Sequence, residues 1–156
     1  MFDRLTDDAR WVVRRGQDHA RATGATAIES EHLLLAVSER EDTRAQRVLV
    51  DAGLTTTRLR RLMDQERERS LRFAGIEPSP IPVSPSEAKL PLATSAKNVL
   101  RRAVARAAQG PSKGIDSAGL LRGILDQEAG TVPRLLALAE IDRSELLTAL
   151  GADAAR

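Results

Sequence analysis

Residues 28–37 read Ile-Glu-Ser-Glu-His-Leu-Leu-Leu-Ala-Val, and residues 115–124 repeat the pattern as Ile-Asp-Ser-Ala-Gly-Leu-Leu-Arg-Gly-Ile. Ile115 lies 87 positions after Ile28, and the same offset aligns further apolar residues in both directions without a gap. Each copy is longer than the roughly 20–50 residues of a solenoid repeat. We therefore predict a tandem duplication whose two halves pack on each other. The aligned pairs include Leu5 with Leu92, Ala9 with Ala96, Val12 with Val99, Leu49 with Leu136 and Leu59 with Leu146.

The composition favours helices over strands. The chain has no Tyr, 2 Phe and 1 Trp, so it lacks the aromatic residues that strands prefer, whereas its abundant Ala, Leu and Arg are good helix formers. The absence of cysteine excludes disulfides and thiolate sites and fits a reducing cytoplasm. No apolar run is long enough for a signal or a membrane span. We predict an all-α, cytoplasmic protein of eight helices with no membrane partner.

Helical periodicity and capping residues divide the chain into a first four-helix repeat at 1–64, a linker at 65–89 and a second four-helix repeat at 90–151. Polar residues that accept hydrogen bonds from a first helical turn precede each apolar stripe, and glycine follows several. The predicted N-terminal caps are Thr6, Ser30, Asp42 or Thr43, Thr55, Thr94 or Ser95, Ser117, Thr131 and Asp142, the last in a capping box with Glu145; the predicted ends include Gly53, Gly110 and Gly151.

The linker is predicted from proline and charge. The helical pattern weakens from about Gln65, and prolines follow at positions 78, 80, 82 and 85. Proline disfavours a helix and biases the chain toward an extended polyproline-like conformation. We interpret residues 65–89 as a semi-rigid strap between the halves; a proline-rich ligand motif is the alternative interpretation.

Three segments together resemble a known family. They are residues 1–10, which read Met-Phe-Asp-Arg-Leu-Thr-Asp-Asp-Ala-Arg, the segment from Ile28 to Leu34, and residues 90–100 with Leu-Pro-Leu at their start. At this spacing they closely resemble the duplicated N-terminal domain of Clp-family unfoldases, in particular the ClpC type. The chain contains no Gly-x-x-x-x-Gly-Lys-Ser/Thr phosphate loop. We therefore expect a stand-alone N-domain without ATPase modules, with no cofactor and no nucleotide hydrolysis.

The resemblance implies one site at the start of the second helix of each half, where resembling domains recognise phosphorylated arginine. In the first half this site comprises Ser30, Glu31 and His32. Free N–H groups of a first helical turn attract an anion, and a carboxylate can bind a guanidinium. The alternative is that Glu31 is only a favourable first-turn acid and His32 a structural residue. The second half has Ala118 and Gly119 at the equivalent positions, which questions its site.

The resemblance also implies a groove where the two halves meet at their N-termini. In the family such a groove binds adaptor proteins and client segments, and in actinobacterial relatives cyclic-peptide antibiotics. An apolar floor would supply burial and a basic rim would orient the partner. The alternative places the valines in the core and the basic residues on a solvated face; Arg14 and Arg101 also depart from the family pattern. The predicted groove residues are Phe2, Arg10, Val13, Arg14, Leu92, Lys97 and Arg101, with Val104 assigned to the core.

Nothing in the sequence indicates an active site. His19 and His32 are the 2 histidines, cysteine is absent, and no Ser-His-Asp or metal-ligand spacing accompanies them. The arginine clusters are interrupted by acids, and the formal net charge is only +2, so nucleic acid is not an expected partner. We predict a non-enzymatic, metal-free peptide- or protein-binding module that acts on a Clp unfoldase as adaptor or decoy. A small basic nucleic-acid-binding regulator is the alternative, and a steep salt dependence of DNA binding would identify it.

Overall fold

The computed structural model describes residues 2–80, 87–112 and 114–154. Within these ranges the chain forms a short 3-10 helix at Phe2–Arg4 and eight α-helices, which confirms the all-α prediction. The helices are α1 (Asp7–Ala22), α2 (Ser30–Glu39), α3 (Arg44–Asp51), α4 (Thr56–Phe73), α5 (Thr94–Gln109), α6 (Ser117–Leu125), α7 (Thr131–Leu138) and α8 (Arg143–Ala154).

None of the helices in these ranges combines the length and the apolar character that a bilayer span requires.

The duplication is visible in the helix boundaries. Each helix of the second half begins 87 positions after its counterpart, so that α1 corresponds to α5, α2 to α6, α3 to α7 and α4 to α8. The central helices α2 and α6 are buried along most of their length, and α1 and α5 pack against them. Their leucines join one continuous apolar core that spans both halves. The predicted pseudo-symmetric pair of four-helix repeats is therefore confirmed.

Two parallel backbone bridges join the halves, and the same offset relates them. Leu5 pairs with Ile115, and Ile28 pairs with Leu92. In the first bridge the Ile115 N–H donates to the Arg4 carbonyl at 2.8 Å. In the second the Ile28 N–H donates to the Pro91 carbonyl at 2.8 Å. Each half thus pairs the segment before its first helix with the segment before the other half's second helix, which fixes the relative position of the halves.

Helix α4 extends further than the sequence predicts, so the expected loss of helix from Gln65 is wrong. The helix continues to Phe73 and turns at Gly75, which has a φ of 78°. Glu66 is buried, and its carboxylate accepts hydrogen bonds from Arg134 Nε and Ser70 Oγ, both at 2.6 Å. An ion pair between the buried Glu66 and the exposed Arg134 of α7 connects the charged turns that resemble a linker to the second half. Prolines 78 and 80 follow the helix, and residues 81–86, with prolines 82 and 85, lie outside the described residues.

Several caps lie next to the predicted positions. Glu29 and Asp116 precede α2 and α6, which begin at the predicted caps Ser30 and Ser117, and Ala93 and Gly130 precede α5 and α7. Asp142 caps α8 by accepting from the Ser144 N–H at 2.9 Å, not from Glu145 as a capping box requires. Helix α8 also continues past Gly151, to Ala154. At α2, α5, α6 and α7 the predicted cap lies one residue too late, or two at Ser95, and of the four actual caps Asp116 accepts with its side chain, from the Gly119 N–H at 2.8 Å.

Candidate functional sites

A cleft of about 290 Å³ opens beside α1 where the two halves meet. Its lining brings together most of the predicted groove residues and adds others from both halves. Apolar side chains form its floor and basic side chains lie at its edge. The lining residues are Phe2, Leu5, Arg10, Val13, Arg14, Gln17, Ile28, Lys89, Leu90 and Leu92.

Side chains of α1 form hydrogen bonds with the segment of the second half that lines the cleft. The Leu90 N–H donates to Gln17 Oε1 at 2.9 Å. Arg21 Nη2 donates to the carbonyls of Ala88 at 2.7 Å and Glu87 at 3.0 Å. These contacts place Lys89 and Leu90 over α1. Sequence reasoning missed both residues, because the contacts join positions far apart in the chain.

Lys97 and Arg101 do not join the cleft. Both are exposed on α5, and Arg101 Nη1 donates to the neighbouring Asn98 Oδ1 at 3.4 Å. They are the α5 counterparts of Arg10 and Arg14 on α1. The cleft is lined by side chains of α1 and by none of α5. Val104 is partly buried and packs on the core, in agreement with its assignment to the core.

The edge of the cleft is basic. Arg10 pairs with Asp7 at 3.8 Å, where both side chains are largely exposed and the pair contributes little. Arg14 and Lys89 are exposed, and no ion pair or hydrogen bond joins either side chain to another of the described residues. The cleft can therefore bury an apolar side chain while its edge attracts an acidic group.

The start of α2 has a different arrangement from the one that the resemblance implies. Ser30 and His32 are buried, and Glu31 is partly buried. The Ser30 N–H donates to Ser95 Oγ at 3.0 Å, and the His32 N–H donates to the Glu29 carbonyl at 3.1 Å. His32 Nδ1 in turn accepts from the Glu29 N–H at 2.9 Å. These first-turn N–H groups already have acceptors, which favours the structural interpretation of His32.

Burial shifts the pKa values of the adjacent Glu31 and His32 in opposite directions, each toward the neutral form. Desolvation, assisted by the carboxylates of Glu29 and Glu66, raises the pKa of Glu31 to about 7. Desolvation, with a smaller effect of His19, lowers the pKa of His32 to about 4. Protonation of His32 at Nδ1 would also remove its hydrogen bond with the Glu29 N–H.

The two shifts predict opposing effects of pH on stability. Folded Glu31 binds more protons than unfolded Glu31, so its contribution is present below pH 4.5 and is lost as the pH rises toward 7. Folded His32 binds fewer protons, so its contribution is present above pH 6.5 and is lost as the pH falls toward 4. Both changes in the free energy of unfolding occur mainly between about pH 4 and pH 7 and have opposite signs, so they offset each other in the wild-type protein.

We expect Glu31→Gln to remove the contribution of Glu31, so that the pH dependence of stability differs between the variant and the wild type. The variant should be more stable than the wild type by about 2 kcal/mol at pH 8, because it removes a buried charge, and should lose that advantage by pH 4. Urea unfolding at pH 4, 6 and 8 measures the difference. Glu145→Gln, at an exposed position of α8, is the matched control and should show no such trend. A difference between Glu31→Gln and wild type that stays constant with pH would contradict the shifted pKa.

The other buried histidine, His19, belongs to an ion-pair cluster around Glu39. Glu39 Oε2 accepts from Arg15 Nε at 2.7 Å and contacts His19 Nε2 at 3.0 Å, while its Oε1 accepts from Arg60 at 3.0 Å. Within 2–80, 87–112 and 114–154 no group of three or more His, Asp or Glu could hold a metal ion. The cluster joins α1, α2 and α4.

Comparisons with known proteins agree with this architecture. The family model described as the Clp repeat (R) N-terminal domain matches residues 4–139. No curated protein sequence gives a match. Among solved structures, the N-terminal domain of the caseinolytic protease associated chaperone ClpD from Arabidopsis thaliana is 19% identical with a TM-score of 0.71, and the match covers 100% of this chain and 97% of that one.

Two further structures show the same fold at lower identity. The Hsp104 N-terminal domain from Candida albicans is 15% identical with a TM-score of 0.68, and the match covers 94% of this chain and 88% of that one. A chain from a malarial protein secretion system is 15% identical with a TM-score of 0.66, and the match covers 96% of this chain and 94% of that one. At these identities the structures establish the fold alone.

Proposed function

The chain belongs to the Clp repeat N-terminal domain family, and on that premise we propose that it is a non-enzymatic module that binds peptide or protein segments in the cleft beside α1. The family assignment makes it a Clp-related protein-interaction domain; its similarity to the ClpC type in particular belongs to the proposal. The observation that supports the proposal is the cleft itself, which lies between the halves with an apolar floor and a basic edge.

The chemistry of the cleft favours a segment that carries a large apolar side chain next to an acidic one. A volume of about 290 Å³ accommodates one or two side chains, not a folded domain. The same features suit a compact cyclic peptide. For phosphoarginine clients the support is weaker at Ser30, Glu31 and His32, because two first-turn N–H groups there already have acceptors.

In the cell, the module would modulate Clp-dependent proteolysis by one of two routes. An adaptor binds a client and delivers it, whereas a decoy removes ligands that the unfoldase would otherwise bind. The experiment adds the protein to the Clp unfoldase and protease of its own source organism with a labelled unfolded client such as casein. Faster client degradation indicates an adaptor, and slower degradation indicates a decoy. Unchanged degradation, together with no binding of the client, would refute the proposal.

The basic edge makes a separate prediction about rates. We expect Arg14→Glu combined with Lys89→Glu to slow association with an acidic client several-fold at low salt, because edge charges steer encounter more than they determine the lifetime of the complex. Stopped-flow fluorescence at two salt concentrations measures the effect, which should diminish at high salt. Arg47→Glu combined with Arg61→Glu, at exposed arginines of α3 and α4 outside the cleft, is the charge-matched control. Equal slowing by the control would show that only net charge matters.

A further inference from the structure

The second half has a cavity of about 580 Å³ in the place that corresponds to the start of α2 in the first half. It lies between α5 and α6, with α3 and α8 contributing one side chain each. Ala118 and Gly119 line it where the first half has Glu31 and His32. Loss of those two side chains leaves the space open, and a Cβ at Gly119 would make only ordinary contacts.

Two arginines of this cavity, Arg122 and Arg44, have no arginine at the equivalent position of the other half. Arg122 corresponds to Leu35, and Arg44 corresponds to Thr131. Both are partly buried, and neither side chain has an ion-pair or hydrogen-bond partner among the described residues. Arg122 Nε is fully removed from solvent and lacks any acceptor. A buried cationic donor without an acceptor is energetically costly, so an anion that accepted from Arg122 would stabilise the folded protein.

The pairing of the other arginines makes these two unusual. Most arginine side chains of the described residues have an acceptor. Apart from Arg44 and Arg122, the arginines without an acceptor are exposed, with one exception. The exception is Arg102, outside this cavity. Arg102 corresponds to Arg15, but Asp126 replaces the longer Glu39 and pairs instead with Arg106. The lack of a partner for Arg102 thus follows from a shortened acid, whereas no acid of the described residues forms an ion pair with Arg44 or Arg122.

Acidic groups at the cavity are fewer than its three arginines, since Asp116 lines it and Asp126 does not. Asp116 Oδ1 accepts from the Gly119 N–H at 2.8 Å and so caps α6. Asp126 pairs with Arg106, whose side chain also lines the cavity. The cavity therefore has an excess of positive charge above a floor of Ala103, Ile115 and Leu150.

We propose that this cavity binds an oxyanion, a carboxylate or phosphoryl group on a short apolar stem, between the guanidinium groups of Arg44 and Arg122. Guanidinium groups bind such anions in a bidentate manner. The apolar floor takes the stem. A guanidinium-bearing ligand is disfavoured, because the carboxylate that Glu31 supplies in the first half is replaced by Ala118. This site is separate from the cleft beside α1 and does not depend on the proposed function.

Thermal melts in the presence of small anions test the proposal. The probes are orthophosphate and butyrate, each compared with chloride at equal ionic strength. A ligand that binds only the folded state raises the melting temperature in a saturable way. Arg122→Gln and Arg44→Gln should each weaken the response at least about tenfold, whereas Arg47→Gln, outside the cavity, should retain it. A stronger response to orthophosphate identifies phosphoryl ligands, and a stronger response to butyrate identifies carboxylates.

A second variant keeps the test valid if the arginine substitutions fail to fold. Ala118→Glu places a carboxylate in the cavity and should supply the missing acceptor. It is expected to raise the melting temperature in chloride and to abolish the response to both probes. An absence of any saturable response in the wild type would overturn the proposal. So would an unchanged response in the Arg122→Gln and Arg44→Gln variants, or an Ala118→Glu variant that is less stable yet still responds.

Discussion

Gly123→Ala is expected to lower the free energy of unfolding by about 2 kcal/mol or more, although alanine is the better helix former. Gly123 lies in α6 where this helix crosses α5. A Cβ at this position would lie 2.7 Å from the Val99 carbonyl oxygen and 3.2 Å from Val99 Cγ1. The oxygen belongs to the backbone of α5, so relief requires the two helices to separate. Separation would disturb the packing of Val99 and Leu100, both fully buried.

Two other glycines provide matched controls. Gly16 makes the corresponding close approach in the first half, but an added Cβ would meet Leu33 Cδ2 at 2.9 Å, the end of a flexible side chain. Gly16→Ala should therefore destabilise less than Gly123→Ala. Gly151 lies within α8 with nothing within 4 Å of a Cβ, so Gly151→Ala should stabilise by up to about 1 kcal/mol. Urea unfolding gives all three values. If Gly123→Ala and Gly151→Ala changed stability equally, the close approach would not limit packing.

These glycines show how far the duplication can be read from sequence. Apolar periodicity and the polar residues near each cap are local signals, and they place the start of every helix to within two residues. The 87-residue offset relates the starts in one half to those in the other. The offset also pairs Gly16 with Ala103 and Ala36 with Gly123. The first half thus places its glycine on α1 and the second half on α6. Only the packed structure shows that these are two solutions to the same close approach between helices.

The features that the sequence did not predict depend on interactions between residues that are distant in the chain. The charged turns of α4 after Gln65 resemble a linker, but Glu66 there is buried and pairs with Arg134 on α7, against which α4 packs. Lys89 and Leu90 join the cleft because Gln17 holds the chain there. Lys97 and Arg101 do not line it, because the cleft forms beside α1 and not beside the equivalent helix α5. Local patterns carry no information on these three points.

Phe2→Ala should weaken binding of a peptide or unfolded client about thirtyfold, equivalent to roughly 2 kcal/mol, while it changes folding stability by less than about 1 kcal/mol. Phe2 lines the cleft but remains 48% exposed. It precedes the Thr6 cap and is outside the continuous apolar core. Half of its surface is therefore available to a ligand, and large aromatic side chains dominate the energetics of such contacts.

Phe73→Ala is the control, because Phe73 is the other phenylalanine, is 96% exposed at the end of α4, and does not line the cleft. Calorimetry with the client, beside a thermal melt of each variant, separates the two roles of Phe2. If Phe2 only filled the seam between the halves, its removal would lower the melting temperature and leave the affinity unchanged. If affinity fell equally for both variants, exposed apolar surface in general would explain binding. Loss of affinity in Phe2→Ala alone would locate the client in the cleft, because Phe2 lines the cleft beside Arg14 and Lys89 and Phe73 does not.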